Sequence, residues 1–445
     1  MWLLPVLPRL ARIAAFIYYR VRYAGNAVPD GGPVLLVANH PNSLLDPMLV
    51  AAVAERPLRF LAKAPLFADP KVGWLIRATG SIPVHRRNDD PAQMQRNDEM
   101  FRAVHQALAS GAAVAMFPEG ISHSEPAMAP LRTGAARIAL GAAALRGDAI
   151  AVIPVGLVFR SKEQFRSDAL VIVGQPIAWD DLAHRGTEDG DAVRQLTERI
   201  GASLRQLTIN LDAWHDAPLV ETATAIWEAE RSAPPDHAER VSRQHVTSGL
   251  LTRVRAEQDA EGLALAEDVA AHRRRLARLG LQPRDLRMDL GSAQAVRWVG
   301  ARVPLMMPLA AMVAGAGWLL FLVPWRLTGV LVDRFRLLPD TRSTWKLLVG
   351  SLIYGAWLLL LSIVAWRQVG GWAAAAVVVV APVVGMSGLL VREHWRGAWQ
   401  DVRRWLLLRG RRPMVDGLRQ AQCDLGARLD RLQQRLATGS GRLDT

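Results

Sequence analysis

A histidine and an aspartate stand close together in the stretch Ala38-Asn39-His40-Pro41-Asn42-Ser43-Leu44-Leu45-Asp46-Pro47. The charge-free run from Pro33 to Asn39 reads as a strand that ends on His40. The apolar pair Leu44-Leu45 before Asp46 reads as the start of a helix. Imidazole is the side chain best suited to take a proton near neutral pH. A carboxylate bonded to one ring nitrogen fixes the tautomer and leaves the other nitrogen free as a base. Serine hydrolases use the same pair to activate a protein nucleophile. Here no G-x-S-x-G turn is present, and the single cysteine, Cys423, lies near the C-terminus. The economical reading is a His40/Asp46 pair acting directly on a substrate hydroxyl. The plainer reading is a histidine that only hydrogen-bonds its own loop.

Other residues fit chemistry on a phosphorylated substrate. Gly80-Ser81-Ile82-Pro83-Val84-His85-Arg86 ends a strand with an arginine, and Arg87 follows. A guanidinium at a strand end can fork onto a phosphate. Phe117-Pro118-Glu119-Gly120-Ile121-Ser122-His123 follows a strand with a turn that carries a carboxylate, a glycine and a hydroxyl. Leu131-Arg132-Thr133-Gly134 opens a helix, whose first amides favour anions. Val152 to Gly156 is apolar and lines either an acyl chain or the core. Singly, each has a plainer reading: Arg86 as a surface charge, Glu119 as a helix cap, Ile153-Pro154-Val155 as core strand.

The elements that must position these residues are legible as alternating patterns. Strands are expected over Leu58–Ala62, Ser81–Val84, Ala112–Phe117, Ile150–Val158 and Ala169–Val173. Helices are expected near 44–55, 70–78, 91–110 and 132–146. Apolar runs between longer helices imply an α/β domain over 26–184, a mixed sheet flanked by helices. Before it, residues 1–25 place Trp2, Leu7, Leu10, Ile13, Phe16 and Ile17 between spaced arginines. That pattern predicts an amphipathic helix in a membrane interface. Residues 185–300 are charged and helical, with breaks at Pro234-Pro235 and from Gly280 to Pro283. No chemistry is assigned there.

Three charge-free runs follow within 301–392: Val303 to Trp325, Leu347 to Trp366, and Gln368 to Val391. Each is long enough to cross about 30 Å of hydrocarbon. The second and third predict a spanning hairpin around Arg367. The loop 326–346 and the basic tail 393–445 are both rich in arginine. If all three runs crossed, loop and tail would lie opposite the α/β domain, against the positive-inside bias. The expectation is therefore that 303–325 dips in or lies at the interface. The α/β domain then sits on the cytoplasmic face of the inner or plasma membrane.

Bulk composition agrees with a membrane partner. The 445 residues carry a formal net charge of +13, 51% hydrophobic residues and 15 tryptophans. A basic balance fits nucleic acid, anionic lipid or phosphorylated substrates. The arginines track the apolar runs and no aromatic–basic surface accompanies them, so nucleic acid is not expected. One cysteine excludes an intrachain disulfide framework. No His, Cys and Asp cluster has metal-ligand spacing, so no metal is expected.

Taken together and in this order, the four blocks resemble the glycerolipid acyltransferases, the 1-acylglycerol-3-phosphate and glycerol-3-phosphate acyltransferase family. They are His40 through Asp46-Pro47, Gly80 through Arg86, Phe117 through Gly120 with Ser122, and Val152 through Gly156. The resemblance covers about residues 1–180. The wording Asn-His-Pro-Asn and the C-terminal membrane segments are similar to a subgroup with fungal-type glycerol-3-phosphate acyltransferases. The chain departs from the family in two places. Five residues, not four, separate His40 from Asp46, and Ile121 stands between Gly120 and Ser122.

The resemblance implies transfer of a fatty acyl group from acyl-CoA or acyl-ACP to a hydroxyl of a phosphorylated glycerol backbone, in phospholipid synthesis. His40 would be the base and Asp46 its orienting acid. Arg86 would hold the phosphate, with Lys63 and Arg132. Glu119, Gly120 and Ser122 would shape that pocket. The acceptor is lysophosphatidate or a similar lipid, or alternatively glycerol-3-phosphate. A reading of another class is an inactive membrane scaffold or lipid sensor on the same fold. Cofactors are not implied, and membrane lipids are the expected partners.

Overall fold

The computed structural model describes every residue except 1, 3, 71–72, 86–95, 232–235, 288–291, 336, 411 and 441–445. In chain order the first elements are α1 (Leu7–Tyr18), β1 (Arg20–Gly25), β2 (Val34–Ala38), α2 (Leu45–Ala54), β3 (Leu58–Lys63), α3 (Ala64–Ala68), α4 (Gly73–Ala78) and β4 (Ile82–Val84). Then come α5 (Arg96–Ala109), β5 (Ala113–Met116), α6 (Gly134–Arg146), β6 (Ala151–Phe159), β7 (Asp168–Val173) and α7 (Gly190–Gln206). Among the described residues the α-helices that follow are α8 (Ala217–Ala229), α9 (His237–Ala256), α10 (Ala260–Leu279), α11 (Ser292–Asp333), α12 (Pro339–Gln368), α13 (Gly371–Gly410) and α14 (Arg412–Ser440).

The strands form one seven-stranded sheet in the order β1-β7-β6-β2-β5-β3-β4. β2 pairs in parallel with β5 and β6, β3 with β5 and β4, and β1 with β7. Only β6 and β7 run antiparallel within these pairings. The sheet is therefore mixed, as the alternating pattern predicts. β2 is buried along its whole length, because helices cover both faces. Leu35 and Val37 point into a core with Val104 and Leu108 of α5, Ile138 and Leu140 of α6, and Leu196 and Ile200 of α7. Each such side chain contributes about 1.5–3 kcal/mol by leaving water. Leu36, between them, faces the other side by strand alternation and is fully buried there.

The N-terminal helix is shorter than the pattern over 1–25 predicts. α1 stops at Tyr18, and Arg20–Gly25 is an edge strand paired to β7. Alternation of Arg20, Val21, Arg22 and Tyr23 suits an edge strand with one buried side, and Val21 is the buried residue. The exposed face of α1 still carries Leu10, Ile13, Phe16 and Ile17.

The chain divides into two compact units. The first comprises Met1–Ala217, Pro235–Gly249 and the short segment Leu338–Thr344. The second comprises Pro218–Pro234, Leu250–Leu337 and Trp345–Thr445. In the second, Ile226 of α8, Leu265 and Val269 of α10, and Leu425, Leu432 and Leu436 of α14 form a helical core. Among the described residues, three stretches are long and apolar enough to cross a membrane: Pro308–Asp333, Pro339–Gln368 and Gly371–Leu408. Their outward faces carry Leu319, Leu352, Leu359 and Val379, all well exposed. Where α11 meets α13, Gly317 and Gly388 let the backbones approach closely, as small residues do between membrane helices.

Candidate active site

Parallel pairing sends the carboxyl ends of β2, β3, β4, β5 and β6 to one edge of the sheet. Open α/β sheets bind ligands at this edge. The register decides which loops meet there. Val37 of β2 pairs with Met116 of β5, so the loop carrying His40 lies beside the loop carrying Glu119. Phe60 of β3 pairs with Ala115, and Lys63 with Val84 of β4. Lys63 and the end of β4 therefore share the same edge. Arg86 lies outside the described residues.

His40 is held from four directions. Its Nδ1 lies 2.8 Å from Asp46 Oδ2. Its ring stacks on Phe117, with centroids 4.0 Å apart and planes 13° from parallel. Its backbone N–H donates to Glu119 Oε1 at 2.8 Å. Its carbonyl accepts from His123 N at 3.2 Å. The residue before it, Asn39, is buried and exchanges two hydrogen bonds with the backbone of Leu157. Among the described residues no protein group bonds Nε2. With Nδ1–H donated to Asp46, Nε2 is left as the acceptor nitrogen.

Asp46 is fully buried in the first turn of α2. Its Oδ2 also accepts from Asn42 N at 2.6 Å, while Oδ1 is buried without a hydrogen-bond partner. Burial holds its carboxyl above the usual carboxylate range, and the His40 hydrogen bond and charge work the other way. The extra residue between His40 and Asp46 is absorbed at Ser43, whose φ of 43° is left-handed. Ser122 supports that conformation: its Oγ accepts from Ser43 N at 3.0 Å and from Ser43 Oγ at 3.1 Å. The displaced hydroxyl of the third block thus braces the first.

Glu119 is 2% exposed. Oε1 accepts from His40 N, and Oε2 accepts from Ala129 N at 2.7 Å and lies 2.5 Å from His123 Nε2. Its oxygens are engaged by the protein, which makes it a brace between loops. Replacing it with glutamine substitutes a donor for an acceptor where N–H groups converge. One buried N–H is then unsatisfied, at about 1–3 kcal/mol. We expect Glu119→Gln to lower the thermal midpoint by several degrees; an unchanged melt would remove its bracing role.

Gly120 has φ +73°, and a Cβ there would meet Arg132 Nε at 2.8 Å. The exposed Arg132 side chain therefore lies over Gly120, and Arg132 N donates to the carbonyl of Pro118 at 2.8 Å. Lys63 is exposed at the end of β3. The site edge thus holds a buried acid, an oriented imidazole and two exposed cations. Sequence reading quoted Asn39, Asn42 and Phe117 within its motifs but gave them no role, and it passed over Lys162 and the segment Leu338–Thr344. That segment reaches the loop itself: Ser43 Oγ donates to Asp340 Oδ2 at 3.3 Å and Leu44 N to Thr344 Oγ1 at 3.2 Å.

A protein-family model described as Acyltransferase matches residues 20–158. The chain is similar to a lyso-ornithine lipid O-acyltransferase of Pseudomonas aeruginosa, 34% identical over 197 residues, which is 43% of this chain and 67% of that protein. It is similar to glycerol-3-phosphate O-acyltransferase 2 of Saccharomyces cerevisiae, 32% identical over 135 residues, 30% of this chain and 18% of that protein. It is also similar to a 1-acyl-sn-glycerol-3-phosphate acyltransferase of Chlamydomonas reinhardtii, 32% identical over 142 residues, 32% of this chain and 39% of that protein. The matches therefore span well under half the length of the yeast and algal relatives.

Proposed function

We propose that this chain, which belongs to the acyltransferase family, moves a fatty acyl group from an acyl thioester to a hydroxyl of a phosphorylated glycerol backbone. The observation that carries the reading is the His40–Asp46 pair, with its ring fixed on Phe117 and Nε2 left without a protein partner. Nε2 takes the proton from the acceptor hydroxyl as its oxygen attacks the thioester carbonyl carbon. The tetrahedral adduct expels the thiolate, which takes the same proton back from Nε2. Asp46 keeps the tautomer fixed and stabilises the imidazolium between the two steps. The thioester is already activated, so no acyl-enzyme is required. Acyl-CoA or acyl-ACP serves as donor.

Lys63, Arg86 and Arg132 are proposed to hold the acceptor phosphate. Arg86→Ala is expected to raise the acceptor KM roughly tenfold or more with kcat little changed, since a charge-assisted hydrogen bond contributes about 1.5–3 kcal/mol. An unchanged KM would remove Arg86 from the phosphate site. Lysophosphatidate is favoured over glycerol-3-phosphate because three helices long and apolar enough to cross a membrane support residence beside a lipid acceptor. The names of the relatives keep glycerol-3-phosphate and a lyso-ornithine lipid as alternatives. The deciding experiment offers purified protein labelled acyl-CoA and a panel of these acceptors, with products read by mass. No acylated product from any acceptor would end the reading.

We also propose that 303–325 does not cross the bilayer. Among the described residues no candidate span lies in 250–302, and the arginines of the loop 326–346 favour the cytoplasmic face. Both ends of α11 then lie on one face, and a continuous helix entering and leaving on one face lies in the interface. A cysteine placed in the loop 334–338 of a Cys423→Ser background should be labelled only from the cytoplasmic side. Labelling from the opposite side would overturn this.

A further inference from the structure

Lys162 follows β6 at the edge where the site residues gather. Its ammonium donates to the carbonyl of Pro41 at 2.8 Å, to the carbonyl of His123 at 3.2 Å and to Ser124 Oγ at 2.7 Å. All three protons are thereby spent on the protein. Its own carbonyl is fixed too, by the Tyr19 hydroxyl and by Ser343 Oγ at 2.5 Å. Ser343 is fully buried. The Tyr19 hydroxyl in turn accepts from Asn42 Nδ2 at 2.6 Å. These partners have one thing in common. Pro41 follows the base, Asn42 N bonds Asp46, and His123 N bonds the carbonyl of His40. One side chain therefore ties the loop bearing His40 to the loop bearing Glu119.

The surroundings of that ammonium are acidic. Asp46, Asp340 and Glu163 face it. Glu163 is engaged by Arg342 at 2.9 Å, and Asp340 is nearly buried. Asp46 is bonded to His40, and Lys162 and Tyr19 lie within electrostatic reach of it. Burial pulls the Lys162 ammonium below its ordinary range, and the three carboxylates oppose that. Lys162 is thus a half-buried cation whose charge, after that of His40, favours the ionised form of Asp46.

We propose that Lys162 is a positioning residue for acyl transfer: it pins the His40 loop and supplies the positive charge that Asp46 faces. The proposal rests on the acyl-transfer reading above. Because no donor is left over for substrate, its loss should act on kcat and leave the acceptor KM alone.

The test uses the full chain in detergent–lipid micelles. Lys162→Met is expected to lower kcat about 10–100-fold, keep the acceptor KM within about twofold, and move the acid limb of kcat up by about one pH unit. Removing an opposite charge near a carboxylate shifts titration in that direction. Lys162→Arg keeps the charge, so its limb should stay with the wild type. A second readout needs no turnover: carbethoxylation of His40 by diethyl pyrocarbonate across pH, read by peptide mass. Its midpoint should rise in Lys162→Met as the limb does. An unmoved limb and midpoint, or a raised KM with unchanged kcat, would overturn the proposal. If the midpoint moves while the wild type transfers no acyl group, the functional reading fails, and the role in acyl transfer with it, while the coupling of Lys162 to the His40 loop stands. Should Lys162→Met not fold, Ser124→Ala removes one acceptor and keeps the charge. A lowered kcat with an unmoved limb then supports the proposal, and an unchanged kcat overturns it.

Discussion

Replacing His40 with alanine should reduce acyl transfer by about 10³-fold or more while the protein still folds. General-base catalysis by a positioned imidazole contributes about 10²–10⁴ in rate. Among the described residues nearby, none can substitute for it. Asp46 is fully buried behind the ring, and the Glu119 oxygens are engaged by backbone and His123. Lys162 has no spare donor and is cationic. The fold survives because the structural bonds at this position come from the backbone, through His40 N to Glu119 and His40 O from His123. The side chain contributes the stack on Phe117, worth about 0.5–1.5 kcal/mol. Thiol release from acyl-CoA in the presence of acceptor measures the first claim, and a thermal melt the second. Normal turnover by His40→Ala would remove the base assignment. An unfolded variant would show that the ring is needed for structure.

Much of this site was legible before any coordinates, and the reason is local. Strands β2 to β7 are short apolar runs bounded by turns, and the chemistry-bearing residues sit directly after them. The parallel strands β2 to β6 then bring such residues together whatever their order, because their carboxyl ends share an edge. The strand order itself was not legible, since it depends on pairing between distant segments. β1 was lost inside the N-terminal helix pattern for a related reason: Arg20 to Gly25 is short, and only its pairing with β7 makes it a strand. The long His-to-Asp loop announced itself in the sequence, but its solution did not. That solution is a left-handed Ser43 held by Ser122, a contact across 79 positions. Lys162 and Asp340 were invisible for the same reason. A lysine in a polar turn and an aspartate opening a long apolar helix look like solvated residues. They acquire a role only through contacts with Pro41, at a separation of 121, and with Ser43, at 297.

Asp46→Asn is expected to cost about as much activity as losing the base, yet leave the fold as stable or more so above neutral pH. The activity loss follows from the tautomer. An amide at this position no longer favours the Nδ1–H form or balances the imidazolium, and loss of such an orienting acid costs about 10⁴ in kcat. The stability claim follows from burial. Asp46 is fully enclosed, and its Oδ1 has no partner. Its carboxyl is held above the usual range by desolvation, so the folded state binds that proton more tightly than the unfolded chain, which titrates near 3.9. Between the two values the folded state carries more protons, and stability falls as pH rises through that window. Above it, an ionised, half-satisfied carboxylate is carried at full cost. Asparagine is neutral and escapes that penalty, although it gives up a charge-assisted bond from Asn42 N. The difference in thermal midpoint between Asp46→Asn and wild type should therefore be most favourable to the variant at pH 8–9 and shrink toward pH 4. A variant that melts lower at pH 8 and recovers at acid pH would reverse the sign. It would mean that Lys162 and His40 together outweigh burial, and that the ionised acid stabilises the loop it orients.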